Sequence, residues 1–126
     1  MGITLDTGAL IDLEDRGSRM AKVLHVANAA GGIRITAPAA VVAEWWRGSS
    51  RRSNGILAMF TVEPLSEHLA KLAGEALAAV PSATPVDAMV MVSAALRGDV
   101  VYTSDEADLV ELRDGRFPNV RVLRVS

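Results

Sequence analysis

Ile3-Thr4-Leu5-Asp6-Thr7-Gly8-Ala9-Leu10 opens as a short apolar strand, meets a carboxylate, and passes at once into a helical pattern. The apolar period changes at Asp6. Ile3 to Asp6 reads as a strand, and Ala9, Leu10 and Leu13 share one face of a helix from Thr7 to about Arg16, stopped by Gly17. A charge ending a buried strand is costly unless it is paired or ligated. Asp6 therefore marks a strand end and a candidate functional residue together.

Strand and helix alternate outward from there. Ser18 caps a second helix that runs to Gly31-Gly32, and Ile33 to Thr36 is the next strand. Pro38 falls in the first turn of a helix, where its missing N–H does no harm, and that helix continues through Glu44 toward Gly48. A further helix spans Ser50 to Phe60, Thr61 to Leu65 is a third strand, and Ser66 opens an Ala- and Leu-rich helix ending near Val80. Thr84-Pro85-Val86-Asp87 starts a helix that Gly98 stops, and Val100 to Thr103 is a buried strand. Ser104 to Leu109 opens a short helix, and Val120 to Val125 is a final strand. This alternation predicts an α/β class: a three-layer α/β/α domain over residues 1–126, with a mostly parallel central sheet of about five strands.

A chain of 126 residues can bury one continuous core. Its apolar runs fall far short of the roughly 18 residues of a membrane span, and no charged segment leads into an apolar one near Met1. A cytoplasmic protein without a membrane segment is expected. Cysteine is absent, which excludes disulfides and thiolate metal sites. Of the 13 basic residues only Lys22 and Lys71 are lysine, and arginine suits phosphate through its planar fork of donors. The net charge of −2 is compatible with a nucleic-acid substrate if several carboxylates are drawn into one metal site.

Four acidic residues belong on one rim. Ligands of open parallel sheets bind beyond the carboxyl ends of the strands, and Asp6 and Asp105 each sit at such an end. Asp87 lies in the first turn of a helix that feeds the Val100 strand, so it opens on the same side. Glu44 lies within about two turns of it. Four anions gathered together repel unless a cation neutralises them or some are protonated. Oxygen ligands alone suit Mg²⁺ or Mn²⁺, and the scattered His25 and His68 argue against zinc.

Asp6-Thr7, Glu44, the Val86-Asp87-Ala88-Met89-Val90 helix and Thr103-Ser104-Asp105 with Asp108 together resemble the acidic signature of PIN domains, and the size and element order resemble VapC-type toxins. The resemblance spans essentially the whole chain. It implies a ribonuclease in which Asp6, Glu44, Asp87 and Asp105 are catalytic and hold Mg²⁺ or Mn²⁺, with Asp108 an outer or second-metal ligand. Thr7 and Ser104 would orient carboxylates or water. It also implies an RNA substrate cut by metal-activated water to leave a 5′-phosphate, a cognate antitoxin protein, and a homodimer.

Plainer readings stand beside these. Thr84 and Asp87 have the spacing of a capping box, and Asp105 and Asp108 favour a helix dipole. Arg47, Arg51 and Arg52 flank a Gly-Ser turn near Glu44, either as a solvated face or as an RNA-contacting rim. Of Trp45 and Trp46, one belongs to the core and the other is a candidate contact for a protein partner. Two further functions compete. One is a catalytically silent PIN-like binding module. The other is a receiver-like phosphoacceptor domain, which lacks here its acidic pair beside the first strand and its late lysine.

Overall fold

The computed structural model describes residues 2–15 and 17–125. Five strands, β1 (Gly2–Leu5), β2 (Arg34–Pro38), β3 (Thr61–Glu63), β4 (Val100–Thr103) and β5 (Val122–Arg124), form one sheet in the order β3-β2-β1-β4-β5, every pairing parallel. Between them lie α1 (Thr7–Leu13), α2 (Arg19–Ala30), α3 (Ala39–Trp45), α4 (Arg51–Leu57), α5 (Glu67–Ala79), α6 (Pro85–Arg97) and α7 (Ala107–Gly115).

The chain steps from β1 to β2 to β3 in one direction, then returns past β1 to β4 and β5. Right-handed crossovers put α1 to α4 on one face of the sheet and α5 to α7 on the other. The packing agrees, with α1 against α2 and α3, and α6 against α5 and α7. Covered on both faces, the central strands are buried, and Leu5, Val101 and Ala37 lose all solvent contact. The three layers and the parallel sheet match the expected architecture.

Several boundaries differ from the sequence reading, each for a local reason. The first helix ends at Leu13, well before Gly17; the expected end at Arg16 lies outside the described residues. The carboxylates of Asp12 and Asp15 accept from the backbone of Met20 and Gly17, and this side-chain hydrogen bonding replaces further helix. Pro38 ends β2 and is the N-cap of α3, with φ −60° and ψ 147°, rather than lying within the helix. The helix then stops at Trp45, short of Gly48. Likewise β3 ends at Glu63, because Pro64 has no N–H to extend the ladder.

On the sheet face beneath α6 lies a polar cluster that the sequence reading did not anticipate. Arg97 donates from Nε to Asp99 (2.9 Å), from Nη1 to Glu63 (2.6 Å) and from Nη2 to Thr4 (2.8 Å) and Ser93 (2.7 Å). Thr4 in turn donates to Asp99 at 2.8 Å. Asp99 is buried, so its charge is tolerable only because guanidinium and hydroxyl satisfy it. The cluster ties α6 to β1 and β3.

Candidate functional site

The strand order reverses between β1 and β4, and Asp6 follows β1 at that point. Its extended backbone makes it the N-cap of α1, with Oδ1 accepting from the Ala9 N–H at 2.8 Å. Its own N–H donates to the Tyr102 carbonyl at 3.4 Å, which stitches the residue to β4. Across the crevice, the Thr103 hydroxyl accepts from the Asp105 N–H (3.0 Å) and has one proton to share between the Asp105 carbonyl (3.1 Å) and Asp6, while the Asp105 carboxylate accepts from the Ala107 N–H (3.2 Å). Asp105 thus sits in a tight turn before α7 rather than inside the helix. Asp108 lies in the first turn of α7.

Asp87 opens α6. Thr84 is the N-cap and accepts from the Asp87 N–H at 3.2 Å, with Pro85 following, so half of the expected capping box forms and the reciprocal bond to the Asp87 carboxylate does not. Glu44 is reached from a fourth direction, at the end of α3, where the Thr7 hydroxyl donates to its Oε1 at 2.6 Å. Gly8 is a residue the sequence reading passed over. A Cβ there would collide with the Ser104 side chain, so a bare glycine lets α1 and the turn after β4 meet. Only its position beside Asp6-Thr7 hinted at this.

Asp6, Glu44, Asp87, Asp105 and Asp108 all line one open cleft of about 250 Å³, together with Thr7, Ser104, Thr84 and Thr103. Among the described residues no Lys, Arg or His lines it. The electrostatic consequence is visible at two residues. Burial pushes the Asp6 carboxyl up to about 6, against the opposing hydrogen bonds of Thr103 and the Ala9 N–H, and the charges of Asp87 and Asp108 push it further. Asp87 is also raised, first by burial and then by Asp108, Glu44 and Asp105, with the Thr84 hydroxyl opposing.

Oxygen donors without a counter-charge fit a hard divalent cation, and no thiolate or imidazole in the lining would favour a softer one. Among the described residues no three acidic or histidine side chains stand close enough together to enclose an ion. The carboxylates are arrayed around the wall of the cleft, as unneutralised like charges should be.

A family model described as the PIN domain matches residues 3–120. The chain belongs to the PIN-domain family. Solved structures share its fold at low sequence identity. VapBC2 of Rickettsia felis, bound to a DNA fragment from its promoter, superposes with a TM-score of 0.77 at 15% identity, covering 100% of each chain. DNA-bound VapBC of Salmonella typhimurium gives 0.74 at 17%, covering 100% of this chain and 99% of that one. VapC20 of Mycobacterium tuberculosis, a sarcin-ricin loop cleaving toxin, gives 0.64 at 20%, covering 95% and 99%. Among curated proteins none matches in sequence.

In this PIN domain the arginine trio does not line the acidic cleft. Arg47 and Arg52 border a separate pocket beyond α3, and Arg51 faces a groove with Leu13, Ala21 and Met59. Trp45 is core, donating its Nε1–H to Glu14 at 3.0 Å, and Trp46 is half-buried. His25 and His68 are exposed on α2 and α5. No described helix is long and apolar enough to cross a membrane.

Proposed function

We propose that this PIN domain is an endoribonuclease dependent on Mg²⁺ or Mn²⁺ and the toxin of a type II toxin-antitoxin module. The observation that carries the reading is the cleft itself: five carboxylates face one space that no basic side chain lines among the described residues. Asp6, Glu44, Asp87 and Asp105 are the proposed ligands, with Asp108 an outer or second-metal ligand. When bound, the cation supplies a water acidified for attack on phosphorus and positive charge for the phosphate oxygens.

The chain's own groups prepare that chemistry. The Ala9 N–H fixes one oxygen of Asp6, and the Thr7 hydroxyl holds Glu44, which otherwise hangs on the exposed last turn of α3. Ser104, wedged against Gly8, keeps the turn carrying Asp105 close to α1. The raised proton affinity of Asp6 and Asp87, from burial first and then from neighbouring carboxylates, is the strain that a bound cation would relieve. Five anions repel a phosphodiester, so a bound ion would also help the scissile phosphate into the cleft.

RNA as substrate is supported by the likeness in fold to a sarcin-ricin loop cleaving toxin, and an antitoxin partner by the likeness to chains solved as VapBC complexes. A homodimer belongs to the same reading. The deciding experiment incubates the purified chain with end-labelled RNA in Mn²⁺ or EDTA. Cleavage only with metal, 5′-phosphate products, and loss of most activity in Asp6→Ala, Glu44→Ala, Asp87→Ala and Asp105→Ala are expected, with Asp108→Ala intermediate and Asp114→Asn unchanged. Activity surviving EDTA would sink the mechanism. That no three acidic side chains among the described residues already enclose an ion favours one second reading, a silent binding module. A wild-type chain that takes up no divalent ion in calorimetry would select it.

A further inference from the structure

The pocket beyond α3 has a character unlike the acidic cleft. It encloses about 340 Å³ and is lined by Trp46, Arg47 and Arg52, with Trp45 and Ile56 behind and the Gly48-Ser49-Ser50 turn along one side. Gly48 adopts a φ of 123°, which lets the chain turn back from α3 to the Ser50 cap of α4. Trp46 leaves the helix as the C-cap of α3, and its ring meets Trp45 edge-to-face at 5.9 Å and 64°. Trp45 is itself buried and pinned through Nε1 to Glu14. Trp46 is therefore a half-exposed indole on a rigid backing, the arrangement that gives a stacking surface at low entropic cost.

The charges around it are uncommitted. Arg47 donates only to the adjacent Trp46 carbonyl, at 2.8 Å, and neither Arg47, Arg51 nor Arg52 forms an ion pair among the described residues. Glu14, the acidic residue of this pocket, is occupied by the Trp45 indole. Guanidinium groups beside an aromatic face suit a polyanion whose units each carry a flat ring, and an apolar protein contact would leave both arginines poorly matched. Position points the same way. Glu44 of the cleft and Trp46 of this pocket are two residues apart, hence at most about 7 Å between Cα atoms, so the two openings flank the same end of α3, within reach of neighbouring nucleotides of one strand.

We propose that the Trp46 pocket is a subsite for one base of single-stranded RNA next to the scissile phosphate, the base stacking on the indole and the flanking phosphates meeting Arg47 and Arg52. It rests on the ribonuclease reading above. Stacking tolerates any base, so the subsite contributes affinity and register, with selectivity for unpaired strand over duplex.

The test measures binding of the full chain to a short labelled oligoribonucleotide in EDTA, where no cleavage is expected, beside a strand of equal length made abasic. The abasic strand should bind wild type roughly tenfold more weakly, since one stacked base accounts for about that factor. Trp46→Leu should lose a similar factor for the normal strand and stop distinguishing the two, while Trp46→Phe stays within about threefold of wild type. Arg52→Gln should weaken both strands alike and flatten the salt dependence. Equal binding of normal and abasic strands by wild type would overturn the proposal without relying on any variant. So would wild-type RNA affinity in Trp46→Leu, which would leave the surface to a protein partner. The nuclease reading fails separately, through a wild type that cuts no RNA in Mn²⁺ yet still binds in a base-dependent way.

Discussion

Thr7 and Glu44, 37 residues apart, are joined by a 2.6 Å hydrogen bond that links the first residue of α1 to the last turn of α3. Glu44 is exposed, so nothing in the packing fixes its rotamer. The hydroxyl selects one.

Thr7→Val keeps the shape and removes the donor. A hydrogen bond to a charged group is worth about 1.5–3 kcal/mol when buried and less when exposed, so ribonuclease activity should fall roughly tenfold. The urea midpoint should hardly move, because the lost bond lies at the surface. Thr7→Ser should recover most of the loss. Full activity in Thr7→Val would show that Glu44 needs no such holding.

Gly8 and Ser104 make a second pair. A methyl group on Gly8 would overlap the Ser104 hydroxyl and approach its Cβ to 3.2 Å. Gly8→Ala should therefore push the turn bearing Asp105 away from Asp6, lowering both activity and divalent-ion affinity. Removing the obstructing oxygen in Gly8→Ala with Ser104→Ala should recover part of the affinity, measured by calorimetry with Mn²⁺. Additive losses in the double variant would count against steric coupling.

What could be read from the sequence was what local rules decide. The change of period at Asp6, the Ser18, Ser66 and Thr84 caps and the Gly98 stop all depend on neighbours in the chain, and each matches its element. The rim positions of the carboxylates followed from the direction of parallel strands alone. Pro38 misled because the same φ serves the end of a strand and the start of a helix, and only pairing with Glu63 decides between them. The Arg97 cluster was illegible for a different reason. Thr4 and Asp99 are 95 residues apart, and no periodic pattern announces a buried charge whose partners come from other elements.

That cluster carries its own prediction. Arg97→Met would leave Asp99 buried without its cation and Glu63 without its partner, and breaking such a pair costs about 3–5 kcal/mol. Urea unfolding should register a loss of that order. Adding Asp99→Asn should restore part of it, since the neutral amide needs no counter-charge. A loss below about 1 kcal/mol would place the network among ion pairs that contribute little.

Asp6 yields the prediction that joins stability to the proposed site. Its carboxyl is raised from 3.8 to about 6, so between those pH values the folded chain holds a proton that the unfolded chain has released. That contribution to stability is complete below about pH 4 and is lost as pH rises through 6. The loss is on the order of 3 kcal/mol, and the raised Asp87 adds in the same direction. Asp6→Asn keeps an acceptor for the Ala9 N–H and removes the titration. In EDTA at neutral pH it should melt higher than wild type, with a flatter dependence on pH. Mn²⁺ in roughly a thousandfold excess over Kd should reverse the order, because wild type then gains about 4.1 kcal/mol and the mutant gains little. If Asp6 were instead a structural anion paired with a buried cation, the mutant would melt lower in both solutions and wild type would ignore the metal. Melts of the two proteins across pH, with and without Mn²⁺, separate these outcomes.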